Sequence, residues 1–228
     1  MFEFLLIDLD DTIFDFRGQE KLALQQALRL FGIDPTEEVC HRYHLINKDH
    51  WERLERKEIT REQVLVGRYG VLLQELGVNK DPVQLARTYE KCLSQGHLFL
   101  PGAVETLERL YGKYKLYIIS NGTSHVQAGR LKSADIGHFF EDIFISQEVG
   151  VNKPDREFFE RCIARIPGFQ RENALIVGDS LSSDILGGIN AGIKTCWVNA
   201  QRRPADPRIP ADYEIESLAG LPALLERL

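Results

Sequence analysis

Four cysteines among 228 residues, Cys40, Cys92, Cys162 and Cys196, include no C-x-x-C pair, so the sequence shows neither a zinc-binding spacing nor a disulfide framework. Buried thiols are expected. No apolar run approaches the length of a bilayer span, and the mean hydropathy of -0.23 argues against membrane residence. The apolar stretch from Phe2 carries Glu3, has no basic leader and runs straight into acidic residues, unlike a cleaved signal. A cytoplasmic location is expected. A basic excess is also missing: 28 Lys and Arg stand against 34 Asp and Glu, a net charge of -6, which disfavours a nucleic-acid polymer as partner. There is no internal repeat or low-complexity tract. The composition is that of an ordinary globular chain, 43% hydrophobic and 27% charged, long enough to bury a large core.

The most informative segment is the apolar run Phe4-Leu5-Leu6-Ile7 followed by Asp8-Leu9-Asp10-Asp11-Thr12. Burying an ionised carboxylate is costly unless it is paired or bound to a cation, so a core strand ending in D-x-D points to a cation site. Residues i and i+2 of an extended chain face the same way, which lets Asp8 and Asp10 converge while Leu9 packs. The bland alternative is a strand end closed by turn-forming Asp residues.

From about Gly18 to Gln95 the chain shows helical periodicity and no convincing strand. Thr60-Arg61-Glu62-Gln63 fits a capping box, and Asp81-Pro82 fits an N-cap with Pro in the first turn, predicting helices over 60–76 and 81–95 that end near Gly77 and Gly96. From Pro101 onward strand and helix alternate. Helices are predicted at 103–111, 124–133, 155–165, 183–190 and 217–227, and strands at 115–120, 143–145, 174–178, 194–198 and shortly before the last helix. The fold class is therefore α/β: a Rossmann-like doubly wound parallel sheet, joined by the first strand, with an inserted all-helical cap. The expected domains are a core of 1–15 and 100–228 and a cap of 16–99.

Four strand ends carry polar groups to one sheet edge: Asp8 and Asp10; Ser120-Asn121-Gly122; Lys153-Pro154; and Gly178-Asp179-Ser180 with Asp184 one turn on. Each alone has a bland reading as a turn, a helix cap or a solvated residue. Together and in this order they resemble the four motifs of the haloacid dehalogenase superfamily, over nearly the whole chain. The position of the insertion resembles members whose helical cap lies between the first two motifs. The strings Ile145-Ser146-Gln147-Glu148-Val149-Gly150-Val151-Asn152-Lys153-Pro154 and Asp184-Ile185-Leu186-Gly187-Gly188-Ile189-Asn190-Ala191-Gly192, the segment Cys196-Trp197-Val198-Asn199-Ala200, and Asn47-Lys48-x-x-Trp51 resemble the bacterial house-cleaning pyrimidine 5'-nucleotidases.

That resemblance implies a phosphoric monoester hydrolase in which Asp8 forms an aspartyl phosphate and Asp10 serves as acid and then base. It implies magnesium held by the Asp8 carboxylate, the Asp10 backbone carbonyl and Asp179, with Asp184 an outer or occasional inner ligand. Lys153 would offset negative charge, Ser120 and the backbone N–H groups of Asn121 and Gly122 would hold phosphate oxygens, and Thr12 would brace the first loop. Superfamily members that cleave carbon–halogen bonds lack the second Asp, because a halide leaves without a proton, so Asp10 favours phosphate esters.

The implied partner is a small phosphorylated metabolite, a pyrimidine nucleoside 5'-monophosphate such as dUMP, dTMP or UMP or a non-canonical analogue. Phe14, Phe16, Tyr43 and Trp51 are candidates to stack on a base and Asn47 and Lys48 to bond its edge, against the alternative that such residues form the core of the cap. His41 and His44 read as a solvated helix face. Phosphoglycolate or sugar-phosphate phosphatases and phosphomutases of the same superfamily share the motifs and stay open. A phospho-aspartate receiver uses similar groups, but it carries its acidic pair and phosphoacceptor on different strands and has no cap. The oligomeric state is left between monomer and homodimer.

Overall fold

The computed structural model describes residues 2–228 and separates into two compact units, one built from the chain up to Phe16 together with His97–Leu228, the other from Arg17–Gly96. Strand β1 (Phe4–Ile7) comes first. Helices α1 (Phe16–Leu30), α2 (Glu37–Glu55), α3 (Arg68–Glu75) and α4 (Pro82–Ser94) follow. Then come α5 (Ala103–Leu110), β2 (Lys115–Ser120), α6 (Ser124–Ala134), β3 (Asp142–Ile145), α7 (Ser146–Val149) and α8 (Arg156–Ile163). The chain finishes with β4 (Ala174–Gly178), α9 (Leu186–Ala191), β5 (Lys194–Val198), β6 (Tyr213–Ile215) and α10 (Leu221–Leu225). No helix among the described residues is long and apolar enough to cross a membrane.

The six strands form one parallel sheet in the order β3-β2-β1-β4-β5-β6. Strand period sorts the core into two layers. Leu5 and Ile7 of β1, Leu116 and Ile118 of β2, and Leu175 and Val177 of β4 share one apolar cluster with Leu107 and Leu110 of α5, Leu131 of α6 and Leu221 of α10. Phe4, Leu6, Tyr117, Ile119 and Ile176 pack on the other face with Phe158, Phe159 and Cys162 of α8 and Ala191 of α9. Strands covered on both faces must be apolar throughout, which is why β1 is wholly buried. The chain leaves β1 for β2 on one side and later returns to β4 on the other, so the carboxyl end of β1 is the switch point of the sheet.

Within the helical unit the two N-terminal signals act as their sequences require. The Thr60 N–H donates to Gln63 Oε1 (2.8 Å) and the Gln63 N–H to Thr60 Oγ1 (3.3 Å), a reciprocal capping box. Asp81 accepts the Val83 N–H at 2.8 Å ahead of Pro82. The helix expected over 60–76 is interrupted: a π-helical turn at Gln63–Gly67 precedes α3, and the widened turn keeps Val64, Arg68 and Tyr69 on one buried side. There Arg68 is buried among Tyr43, Tyr69 and Tyr89, its guanidinium carbon 5.0–6.0 Å from their ring centres. It also donates to Asn47, which in turn donates to the buried Glu20.

Candidate active site

Strand register places the polar groups at a common level. Ile7 pairs with Ile118 on one side and Val177 on the other, so Asp8 emerges beside Ile119 and Gly178, and its N–H still donates to the Val177 carbonyl at 2.8 Å. Asp11 takes a left-handed backbone (φ 59°), which a short polar side chain tolerates, and accepts the Phe16 N–H at 3.1 Å. This turn ends the strand and leaves Asp8 and Asp10 at the sheet edge.

Asp8, Asp179 and Asp184 come together there, each with a carboxylate oxygen within 4.8 Å of the others. Lys153, 1% exposed, joins two of the three, donating to Asp8 Oδ1 (2.6 Å) and Asp184 Oδ1 (2.7 Å) as well as to the Ile119 carbonyl (2.9 Å). All three ammonium hydrogens are thereby used. Asp184 is reached through a π-helical turn, Leu181–Ile185, where a plain helix from 183 was expected, and it also accepts the Ser180 N–H at 3.1 Å. Gly178 is required by this approach, because a Cβ there would collide with the Asp184 carboxylate.

Two buried carboxylates, Asp8 and Asp184, and a half-buried third, Asp179, against one ammonium leave excess negative charge. Burial pushes the Asp8 carboxyl up to about 8 against the attraction of Lys153, with Asp184 and Asp10 adding repulsion. Burial also lifts Asp179 well above the usual carboxylate range, with Asp184, Asp8 and Asp11 raising it further and Arg203 opposing. Burial alone would lower Lys153, yet Asp184 and Asp8 hold it above its ordinary value. Asp179 receives hydrogen bonds on its backbone carbonyl, and no ion pair reaches its carboxylate among the described residues. An all-oxygen donor set of this charge fits a hard divalent cation.

The Asp10 side chain lies outside this trio. It is paired with the fully buried Arg130, and its other oxygen accepts from Gln127 Nε2 at 2.6 Å. Both partners come from α6, three residues apart on one face. Gln127 also donates to Ser120 Oγ (3.0 Å) and accepts from Arg130 (2.9 Å), while the Arg130 guanidinium carbon sits 4.8 Å from the Phe14 ring centre and 5.5 Å from that of Phe16. Neither Gln127 nor Arg130 was anticipated from the sequence. The available signal was a pair of polar residues inside the buried stripe Val126, Gln127, Arg130, Leu131.

The other expected site residues make the following contacts within the protein. The Gly122 N–H, expected to face phosphate, donates to Ser120 Oγ (3.1 Å), and a Cβ on Gly122 would collide with Gln127. The Asn121 side chain staples the Lys153 backbone, accepting its N–H at 2.8 Å and donating to its carbonyl at 2.9 Å. The Thr12 hydroxyl, expected to brace the first loop, is buried with no hydrogen-bond partner among the described residues. Asn47, foreseen as a substrate contact, has both ends of its amide engaged by Glu20 and Arg68, because an amide buried inside a helical unit must satisfy itself there. Tyr43 and Phe14 are fully buried in their respective units, Lys48 is exposed beside Glu52, and His44 pairs with Glu20 at 2.8 Å. Trp51 is partly buried with the Arg61 guanidinium carbon 5.6 Å from its ring centre.

Comparison with known proteins gives the same frame. Residues 5–198 match the family model of haloacid dehalogenase-like hydrolases. YfnB of Bacillus subtilis is 40% identical over 217 residues, covering 95% of this chain and 92% of the relative. The pyrimidine 5'-nucleotidases PynA of Streptococcus pneumoniae and YjjG of Escherichia coli are 36% and 34% identical, covering 99% and 98% of this chain and 96% and 97% of theirs. A crystal structure of YfnB bound to magnesium superposes with a TM-score of 0.94 at 39% identity, covering 98% of both chains. With a parallel sheet, an acidic trio at its switch point and this match over most of its length, the chain belongs to the haloacid dehalogenase-like hydrolases.

Proposed function

We propose that the chain hydrolyses a small phosphate monoester through an aspartyl phosphate on Asp8, and that its substrate is a pyrimidine nucleoside 5'-monophosphate. The observation that carries the chemistry is Asp8 beside Asp179, Asp184 and Lys153, with a second carboxylate, Asp10, two residues along. The identity of the ester is supported by PynA and YjjG, which match over nearly the whole chain.

In this reading an oxygen of Asp8 attacks phosphorus as the ester P–O bond breaks, and the departing oxygen takes its electron pair and a proton from Asp10, which for this step is protonated and released from its ion pair with Arg130. Water then attacks the phosphoryl group and gives a proton to the Asp10 carboxylate, the P–O bond to Asp8 breaks, and phosphate leaves. Lys153 holds Asp8 in place and offsets negative charge throughout. The Ser120 hydroxyl, Thr12 and the Asn121 backbone N–H bind phosphate oxygens. Asp8, Asp179 and Asp184 would hold magnesium together with the Asp10 carbonyl, and the metal when bound supplies positive charge that offsets repulsion between nucleophile and phosphate dianion. Two unit charges about 4 Å apart at an effective dielectric near 20 interact by about 4 kcal/mol, so this neutralisation is worth several powers of ten in rate.

The test is magnesium-dependent phosphate release from a panel of nucleoside monophosphates, phosphoglycolate and sugar phosphates, with Asp8→Asn as the blank. Clear preference for pyrimidine nucleotides is expected, and comparable specificity constants for AMP and dTMP would contradict it. A triose-phosphate substrate is the second reading, favoured by the 30% identity over 211 residues to a glyceraldehyde 3-phosphate phosphatase of Methanothermobacter thermautotrophicus.

A further inference from the structure

The peptide unit between Asp179 and Ser180 is gripped at both ends. Its N–H, that of Ser180, donates to Asp184 Oδ2 at 3.1 Å. Its carbonyl, that of Asp179, accepts two bonds, from the indole Nε1 of Trp197 at 2.9 Å and from Nη2 of Arg203 at 2.7 Å. Two donors on one carbonyl oxygen occupy both of its lone pairs, so the peptide plane is fixed in rotation. Arg203 also stacks on Trp197, its guanidinium carbon 5.3 Å from the ring centre, which couples the two donors.

Arg203 is delivered by a built turn. Asn199, 1% exposed, accepts the Arg203 N–H at 2.8 Å and donates to the Arg203 carbonyl at 2.9 Å and to Glu214 at 2.7 Å. The turn is thus anchored to β6, and its head reaches the backbone of an acidic residue whose own carboxylate is left to a ligand. The neighbouring Arg202 points elsewhere, pairing with Glu216 at 2.9 Å.

We propose that Arg203 and Trp197 are positioning residues for a divalent cation at the acidic trio: by clamping the Asp179–Ser180 peptide they set the carboxylates of Asp179 and Asp184 at the separation a cation needs. This rests on Asp179 being a cation ligand, as in the function proposed above. Groups that orient metal ligands typically change metal affinity by about 10- to 100-fold when removed. Arg203 is exposed, so Arg203→Met keeps its aliphatic stem over the indole and removes the donor without opening the core.

The experiment is calorimetric titration of the purified full chain with magnesium chloride, for wild type, Asp179→Asn, Arg203→Met, Trp197→Phe and, as control, Arg202→Met, each checked for folding by circular dichroism. Binding about tenfold weaker in Arg203→Met, with Arg202→Met like wild type, is expected, and Trp197→Phe, if folded, weakens binding in the same direction. Wild-type affinity in Arg203→Met overturns the inference, as does equal weakening in Arg202→Met, which would reduce the effect to general loop charge. If Asp179→Asn binds magnesium as wild type does, the assignment of Asp179 as ligand fails instead, and the two failures are told apart.

Discussion

Arg130, with no exposed surface, has Asp10 as its salt-bridge partner, and it joins that carboxylate to the Ser120 hydroxyl through Gln127 on the same helix. A buried guanidinium is tolerated only while its counter-charge is present. Asp10→Asn is therefore predicted to act twice. Turnover falls by about 10²–10⁴-fold from loss of proton transfer. Stability also falls, by about 1–3 kcal/mol, below the full cost of breaking a buried pair because the Asp10 side chain is 26% exposed. Steady-state kinetics and urea denaturation of the same preparation separate the two effects.

Asp8 and Asp179 make metal-free stability fall with rising pH. Asp8 binds its proton more tightly folded (about 8) than at its ordinary value of 3.8, and Asp179 shifts in the same direction. Between those two values Asp8 holds its proton in the folded state and not in the unfolded one, so its share of stability declines through the window and is lost above about pH 8. A cation at the site relieves that repulsion. The melting temperature in EDTA should drop from pH 5 to pH 8 relative to that in magnesium, and a gap between the two that does not widen with pH contradicts the assignment of these carboxylates.

Gly178→Ala tests the close approach of β4 to Asp184, since the added Cβ overlaps the carboxylate. The side chain must move, at a cost of about 1–3 kcal/mol. Because Lys153 and Ser180 hold that same carboxylate, weaker magnesium binding is expected along with the lower denaturation midpoint.

In the helical unit, Arg68→Met removes the buried cation from among Tyr43, Tyr69 and Tyr89 and leaves the Asn47 amide oxygen without its donor. A loss of about 3 kcal/mol in equilibrium unfolding is predicted. A change within about 0.5 kcal/mol would mean that the network contributes nothing to stability.

Much of this is legible in the amino-acid sequence. Strands buried on both faces are apolar throughout, so β1, β2 and β4 stand out, and the carboxylates that follow them are conspicuous because buried strand ends rarely carry charge. The capping residues Thr60 and Asp81 announced their helices through local chemistry alone. What stayed hidden depends on tertiary approach. Gln127 and Arg130 read as ordinary polar helix residues until α6 is seen to lie against Asp10, and Asn47 reads as a ligand contact until Glu20 and Arg68 are seen to consume its amide. The π-helical turns at Gln63–Gly67 and Leu181–Ile185 were missed for a related reason, since one inserted residue leaves local propensity almost unchanged.

The central claim is that Asp8 becomes covalently phosphorylated during turnover. Rapid acid quench of the enzyme turning over dTMP with magnesium, followed by mass spectrometry of the proteolytic fragment containing Asp8, tests it most directly. A phosphorylated fragment that appears within one turnover, decays when substrate is exhausted and is absent from Asp8→Asn is the predicted result. Full turnover by Asp8→Asn, with no phosphorylated fragment in the wild type, would contradict the account.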